Sequence, residues 1–226
     1  LRRFPHLFLL SSDAAKAVEL RVRVGKIAET SLGDELRAVD QYQAALDIDP
    51  SHLPALEALR AIATRREDWY EVARYLDREQ AATELPRTRA KLLTELGRVN
   101  AQHLDDQAQS IRCDEEALRC DADQEEAAWP LCNYYVSEQR WADAEPLAEM
   151  LTRRASRRDP AEQLQIQLMM GRVAVALGKS DRAIKAFTAA QALDRANVES
   201  IAALALAYFE KQDWDNAFKH YQVLLV

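Results

Sequence analysis

A single helical register recurs six times along this 226-residue sequence, and no other feature limits the possible folds so strongly. The recurring position is usually small, and its occupants, at intervals of 34, 38, 34, 39 and 34 residues, are Ala38, Val72, Ser110, Ala144, Ala183 and Ala217. Further positions of the same register follow each of them four and seven residues later. Residues at i, i+4 and i+7 lie on one face of an α-helix. The period therefore predicts a stack of helical repeats.

A second helical pattern precedes each of these helices, so each repeat is predicted to be a pair of antiparallel helices joined by a short turn. In the last repeat this first helix carries Ile201, Leu204 and Tyr208 on one face. The composition agrees, because strong helix formers are abundant and only five glycines and seven prolines are present. Strand-like alternation of apolar and polar residues is weak. The sequence therefore predicts an all-α protein.

A longer period of about two repeats relates the glycines and the tryptophans. Three glycines recur in the first helix of the odd repeats, 72 and 74 residues apart: Gly25, Gly97 and Gly171. A glycine inside a helix costs about 1 kcal/mol relative to alanine, so its presence predicts a close approach of the second helix. Three tryptophans recur at the turn of the even repeats, 72 and 73 residues apart: Trp69, Trp141 and Trp214. We interpret these tryptophans as structural and the array as three blocks of two repeats.

The end of the first repeat, Tyr42–Pro50 with the sequence YQAALDIDP, resembles the closing sequence of the tetratricopeptide repeat family. The resemblance covers roughly Val18–Val226 and is shared by six units. It implies a right-handed superhelical α-solenoid of antiparallel helix pairs, which is the fold class expected for this chain. Three residues depart from the family pattern: Arg60 at a small position, Asp114 at an aromatic position and Arg195 at the closing proline. These departures predict looser packing or special contacts.

The register also divides the chain. We expect residues 1–16 to be a leftover helix or cap from upstream sequence, and residues 17–226 to form a single solenoid. The six repeats are expected at about residues 18–52, 53–86, 87–124, 125–159, 160–197 and 198–226. Because the sequence lacks a starting methionine and ends on apolar residues, we expect it to be a piece of a longer chain.

Charge and motif content argue against several classes of function. A net charge of −7 disfavours nucleic-acid binding, which needs a basic face. Three cysteines, an odd number, disfavour a disulfide framework and favour a reducing, cytoplasmic location. No segment approaches the roughly 20 apolar residues of a membrane span, so no membrane insertion is expected. Phosphate-loop, dinucleotide, catalytic-serine and zinc-protease motifs are missing, and the histidines and cysteines lack metal-ligand spacing. We therefore predict no enzyme activity, no catalytic or metal-binding residue and no cofactor.

The resemblance places function on the concave surface of the solenoid, which the first helix of each repeat lines. Mapping the family positions one by one makes the first half of this surface polar and the second half apolar. The predicted partner-binding residues are Arg98, Trp129, Asn133, Leu168, Arg172, Leu206 and Phe209. Exposed apolar patches are typically used for binding, with aromatic and arginine side chains as anchors. Arg98 and Arg172 are expected to attract carboxylates. The alternative is that Trp129 and Phe209 pack between neighbouring helices or beneath a further helix.

The sequence thus predicts a non-catalytic protein–protein interaction module, a scaffold or adaptor that binds a peptide or helix on its concave surface. Two alternatives stay open at this point. The chain could be a regulatory or substrate-recruiting arm of a larger enzyme, or a self-assembly module that associates through the open ends of the solenoid. The full-length sequence would distinguish an arm of an enzyme from an adaptor. Light scattering at several concentrations would test self-assembly.

Overall fold

The structure of the protein, a computed structural model, describes residues 5–225, with side chains described for residues 13–225. Twelve α-helices lie within these residues: α1 (Pro5–Thr30), α2 (Glu35–Leu46), α3 (Leu53–Arg65), α4 (Trp69–Ala82), α5 (Pro86–His103), α6 (Gln107–Cys120), α7 (Glu125–Ser137), α8 (Trp141–Arg154), α9 (Pro160–Ala176), α10 (Ser180–Leu193), α11 (Val198–Glu210) and α12 (Trp214–Leu224). A 3-10 turn, Ala155–Arg157, separates α8 from α9. No strand occurs between residues 5 and 225, which confirms the all-α class. Residues 1–4 of the predicted cap segment lie outside the described residues, and α1 continues through the expected boundary at residue 16.

The chain forms two compact units, Leu1–Gln124 and Glu125–Val226. In the first unit, α1 packs against α2, α3 against α4, and α5 against α6. In the second unit, α7 packs against α8, α9 against α10, and α11 against α12. Within each unit the second helix of a hairpin also packs against the first helix of the next hairpin, as α4 does on α5 and α8 on α9. The predicted architecture of paired helices is therefore confirmed.

Each hairpin turns through one residue in the left-handed backbone region. These residues have φ between 54° and 68° and are Gly33, Glu67, Asp105, Gln139, Gly178 and Gln212. The following residue donates its backbone N–H to a carbonyl five or six residues earlier, as Lys179 does to Ala174 at 2.8 Å. This bond satisfies a carbonyl that the end of the first helix leaves unpaired. In four turns the following residue is an aspartate that caps the second helix with its carboxylate. Two of the left-handed residues are glycines, and the other four turns reach the same geometry without glycine.

The turn at Gln139 carries a strain that glycine would remove, because a left-handed conformation is unfavourable for residues with a Cβ. We expect Gln139→Gly to raise the free energy of unfolding by about 0.5–1 kcal/mol, the gain left after the larger entropy loss of glycine. The matched control is Gly178→Gln in the next turn, which should lower it by about 1 kcal/mol. Urea unfolding followed by circular dichroism measures both changes. A loss of stability in Gln139→Gly would contradict this account of the turn.

Gly25 and Gly171 mark the places where the two helices of a hairpin come closest. A Cβ on Gly171 would lie 2.5 Å from Cζ of Phe187, and a Cβ on Gly25 would lie 2.7 Å from Cε1 of Tyr42. Both rings are buried, so the missing side chain is replaced by an aromatic ring from the second helix. The close approach predicted from the glycine spacing is confirmed at these two positions.

The apolar faces of the hairpins form the cores of the units. In the first unit the core contains Tyr42, Leu56 and Leu76. In the second unit Phe187 and Leu204 belong to one such cluster. The three cysteines are free thiols; Cys113 and Cys132 are buried, whereas Cys120 is half-buried.

Arg60 occupies the small-residue position of the second repeat, and an ion-pair network compensates for it. Its Nε donates to Oε1 of Glu79 at 2.7 Å, and its Nη1 donates to Oε1 of Glu95 at 3.1 Å. Glu79 is 1% exposed and also departs from the small or apolar residues at its register position. Desolvation raises the pKa of Glu79, and the hydrogen bond from Arg60 opposes that rise. The special contact predicted for Arg60 is therefore an ion-pair network in which Arg60 of α3 binds Glu79 of α4 and Glu95 of α5.

Removing only one partner of this buried pair should be costly. Arg60→Ala leaves the Glu79 carboxylate buried without a cation, so we expect the free energy of unfolding to fall by about 3–5 kcal/mol. The double variant Arg60→Ala/Glu79→Ala should lose less than Arg60→Ala alone, because no unpaired charge remains. Chemical unfolding of the wild type, both single variants and the double variant gives the coupling energy. Strictly additive losses would show that the two side chains do not stabilise each other.

The turn tryptophans begin the second helix of each even hairpin. The Trp69 ring stacks on His103 at the end of α5, with ring centroids 3.6 Å apart and an interplanar angle of 9°. This contact joins one hairpin to the next and fits the structural role predicted for the tryptophans. Trp141 is half-buried, whereas Trp214 is 57% exposed. Trp214 therefore differs from Trp69 in its surroundings.

Ion pairs connect consecutive hairpins at the edge that carries the turns. In each pair, an acidic residue near the start of the second helix of one hairpin binds a basic residue at the turn of the next hairpin. The pairs are Glu35–Arg66 at 2.6 Å, Glu145–Lys179 at 2.5 Å and Asp181–Lys211 at 2.5 Å. The residues of each pair are 30–34 positions apart in the sequence, about one repeat.

Candidate functional site

The predicted partner-binding residues lie on the first helices of their hairpins, as the register requires. Trp129 and Asn133 are on α7, and two further pairs, Leu168 with Arg172 and Leu206 with Phe209, are on α9 and α11. These six residues belong to the second unit, whereas Arg98 is an exposed residue of α5 in the first unit. Arg98 therefore belongs to a different unit from the other six predicted residues.

Two apolar residues of α11 are strongly exposed. Leu206 is 49% exposed and Phe209 is 51% exposed, and their spacing of three residues puts them on one side of the helix. The Phe209 ring meets Trp214 edge to face, with centroids 5.4 Å apart and an interplanar angle of 78°. Val175 on α9 is also 51% exposed. Exposed apolar side chains of this size that cluster together are typical of interaction surfaces.

Leu168 does not belong to this surface. It is 3% exposed and packs in a core cluster with Ala183, Phe187 and Leu204. Its predicted role as a partner-binding residue fails because the helix face three residues before Gly171 is turned toward the core of the unit. Leu168 instead holds α9 in place beneath the exposed residues.

Arg172 already has a carboxylate partner. Its Nε and Nη2 donate to Oε1 and Oε2 of Glu199, both at 2.5 Å, so the pair is bidentate and joins α9 to the first turn of α11. The hydrogen bond to Glu199 raises the pKa of Arg172. A carboxylate of a partner would have to displace Glu199, so the predicted role of Arg172 as a free attractor of carboxylates is corrected. The pair is a neutral element that fixes two of the first helices relative to each other.

Trp129 is held by a second group of charged residues. The Arg158 guanidinium lies 5.7 Å from the centre of the Trp129 ring, and its nitrogens bind Glu125 at 3.1 Å and Glu162 at 3.2 Å. Arg154 also donates to Glu125, at 3.0 Å. Although desolvation opposes it, the hydrogen bonds from Arg158 and Arg154 lower the pKa of Glu125. Trp129 is half-buried, so its ring has a structural contact and only part of it faces solvent.

Asn133 is exposed one helical turn after Trp129, and its side-chain amide donates to the Trp129 backbone carbonyl at 3.0 Å. The predicted residues thus fall into two groups, one around Trp129 on α7 and one on α9 and α11. Sequence reasoning missed Glu199 and Trp214 as members of the second group. Glu199 lies 27 residues from Arg172, in the following repeat. Aligning the repeats with one another gives no signal for a pair whose members belong to different repeats.

Within the described residues, no group of three or more His, Cys, Asp or Glu side chains is arranged to hold a metal ion. Among the same residues, no helix has the length and apolar character needed to cross a membrane.

The sequence matches family models of the tetratricopeptide repeat in two places, residues 164–197 and residues 203–226. The chain has a tetratricopeptide repeat fold. The matched segments cover α9 with α10 and most of α11 with α12, which are the hairpins that carry Arg172, Leu206 and Phe209. No curated protein matches the sequence closely enough to count as a relative.

Solved structures of tetratricopeptide repeat proteins agree with this fold. MamA residues 41 to the end from Desulfovibrio magneticus RS-1 is 18% identical, with 78% of this chain and 94% of that chain covered and a TM-score of 0.52. MamA from AMB-1 is 17% identical over 77% of this chain and 91% of that chain, with a TM-score of 0.57. YrrB, described as a TPR protein with an unusual peptide-binding site, is 17% identical over 84% of this chain and 96% of that chain, with a TM-score of 0.52. At these identities the likeness concerns the fold.

Proposed function

We propose that this chain is a non-catalytic protein-interaction module that binds a peptide or helix of another polypeptide through its second unit. The proposed contact surface, here called the apolar surface, consists of Val175, Leu206, Phe209 and Trp214. The observation that carries the proposal is the exposure of Leu206 and Phe209 on the first helix of a repeat. YrrB, a protein of the same fold, is described as having a peptide-binding site, which supports the proposed class of partner.

The Arg172–Glu199 pair sets the chemistry of the partner. Because its charges are matched within the chain, the pair adds no net charge beside the apolar surface. The partner is therefore proposed to place an apolar side chain on the apolar surface. Polar groups at the edge of the partner would then contact the Arg172–Glu199 pair. Trp129 and Asn133 on α7 are a secondary part of the proposal, because the exposed part of Trp129 and the Asn133 side chain are open to a longer ligand.

Net charge and cysteine content indicate the class of partner and the location. A net charge of −7 favours a protein partner over nucleic acid. Three free cysteines favour a reducing compartment, so we propose a cytoplasmic location. Arg98 stays a predicted binding residue, because it is exposed on α5 but lies outside the apolar surface.

The test uses a peptide selected by the intact chain from a displayed library of random 12-residue peptides and then synthesised with a fluorescent label. We expect Leu206→Ser/Phe209→Ser to weaken binding of this peptide by at least about tenfold, since buried aromatic and aliphatic anchors typically contribute more than 1.4 kcal/mol. Fluorescence anisotropy measures the affinity. The matched control is Leu36→Ser/Tyr70→Ser, which removes two exposed apolar residues from the first unit and should leave the affinity unchanged.

Two further variants separate the parts of the proposed site. The charge swap Arg172→Glu/Glu199→Arg keeps the pair and should retain binding, whereas Arg172→Glu alone should weaken it. Trp129→Ala tests the secondary part on α7. Equal affinity of the wild type and Leu206→Ser/Phe209→Ser, with circular dichroism spectra unchanged, would refute the apolar surface as the binding site. Failure to select any peptide would count against peptide binding altogether.

Self-association is a second candidate function, and a separate observation favours it. Apolar side chains are exposed in a helical stripe on α12, at Phe218 and Tyr221, and in another on α1, at Leu20, Val24 and Ile27. Spacings of three and four residues place the members of each stripe on one helix face. Two such stripes on one chain would allow a head-to-tail contact between copies.

Sedimentation velocity from about 5 to 200 μM tests this candidate, because an interface of this kind makes the average mass depend on concentration. We expect the wild type to gain mass with concentration, and Phe218→Ser or Val24→Ser to reduce the gain. Tyr70→Ser removes an exposed aromatic residue outside both stripes and should behave like the wild type. A monomer at every concentration would exclude self-assembly as the function of these stripes.

A further inference from the structure

The hairpin of α5 and α6 contains a buried carboxyl group at a position that an aromatic ring fills elsewhere. Asp114 on α6 has the register position of Tyr42 and Phe187, the two rings that cover a glycine of the preceding helix. It is 3% exposed. A Cβ on Gly97 would lie 3.1 Å from Oδ1 of Asp114 and 3.2 Å from the carbonyl oxygen of Ser110. Asp114 therefore lies directly against the backbone of α5.

The polar side chains that flank Gly97 on α5 are already committed to other bonds. On α5, the residues one turn to either side of Gly97 are Thr94 and Asn100, and both are buried. The Thr94 hydroxyl donates to the Ala90 carbonyl at 2.8 Å, and the Asn100 amide donates to the Leu96 carbonyl at 2.8 Å. Among the residues that the structure describes, no donor reaches the Asp114 carboxyl group. An ionised carboxylate at this place would be buried without a hydrogen bond, which is costly.

The charged groups near this hairpin also leave Asp114 without a cation. On α5, Glu95 is bound to Arg60, and Arg98, next to Gly97, is exposed to solvent. On α6, burial and then the charge of Asp114 raise the pKa of the adjacent Cys113 thiol to about 11; Asp77 of α4 adds to that rise and Arg112 of α6 opposes it. Cys113 is therefore a neutral thiol near pH 7. Desolvation by burial is the cause that raises the pKa of Asp114 from 3.8 to about 7.

We propose that the α5–α6 hairpin is a pH-responsive element, which is closed when the Asp114 carboxyl group is protonated and loosens when that group ionises. The loosening follows from geometry. A carboxylate gains hydration when α6 moves away from Gly97, because Asp114 is 3% exposed and its Oδ1 lies against the α5 backbone at that glycine. The α9–α10 hairpin lacks this response, since Phe187 fills the same position against Gly171.

The direction of the pH dependence is fixed by the linkage between protonation and folding. Between about pH 4 and pH 7 the closed hairpin retains a proton that the open chain has already released. Stability contributed by this group is therefore complete at low pH and is lost as the pH rises through this range. Between pH 6 and pH 8 the opening equilibrium constant should increase about tenfold, which the linkage relation gives for a closed-state pKa of about 7.

Hydrogen exchange detected by mass spectrometry tests the proposal, with rates corrected for the intrinsic pH dependence of exchange. In the wild type, we expect protection of α5 and α6 amides to fall about tenfold from pH 6 to pH 8, while α9 and α10 amides keep theirs. Asp114→Asn keeps the shape of the side chain without its charge and should show equal protection at both pH values. Asp40→Asn removes the same charge from an exposed site on α2 and should behave like the wild type.

A second measurement keeps the proposal testable if Asp114→Asn is poorly folded. Carbon-13 labelling of aspartate lets the carboxyl resonance of Asp114 be titrated by NMR in the wild-type chain. A midpoint near pH 7 supports the proposal. A midpoint below about pH 5, where ordinary aspartates titrate, would overturn it. A loss of protection in Asp114→Asn as large as that in the wild type would overturn it as well.

Discussion

The contact between the two helices of a hairpin is the constraint on which the other features of this structure depend. In the first and fifth repeats that contact is a glycine backbone covered by a buried ring, Gly25 by Tyr42 and Gly171 by Phe187. Such a contact fixes both the distance between the helices and their rotation, because only one face of each helix can supply it. The turn must then bring the chain back within a few residues, and one left-handed residue in every turn does so. The exposed faces of the first helices are what remains after this packing is complete.

The contact between the two helices accepts very different residues when the residues around it change as well. In the second repeat Arg60 replaces the glycine, and Glu79, 1% exposed, replaces the small or apolar partner. In the third repeat the glycine stays and Asp114 replaces the ring. Burying a charge is tolerated for Arg60 because the ion pair compensates for desolvation. Asp114 has no such compensation among the described residues, and burial shifts its pKa to about 7 instead. Two departures from one sequence pattern thus have different physical outcomes.

Much of the fold could be predicted from the sequence, because helix register, turn glycines and close-approach glycines are local properties. The helix pairs and the role of Gly171 follow from residue spacing alone. The binding surface was harder to predict. Leu168 is buried although its register position suggested exposure, because α9 turns that face toward Leu204 in the next hairpin. The Arg172–Glu199 pair was missed since its members belong to different repeats, and only the packing of two hairpins brings them together. Contacts between neighbouring repeats therefore could not be derived from the sequence pattern of a single repeat.

The ion pairs between consecutive hairpins have a consequence for how the array responds to its solution. Apolar cores span neighbouring hairpins, and Glu145–Lys179 and Asp181–Lys211 add a charged contribution to the coupling of one hairpin to the next. Salt weakens exposed charge pairs and leaves apolar packing intact or strengthens it. In a linear array, the strength of coupling between neighbours determines how many repeats open together. Raised ionic strength therefore weakens the charged part of the coupling, and the apolar cores that span neighbouring hairpins determine how many repeats still open together.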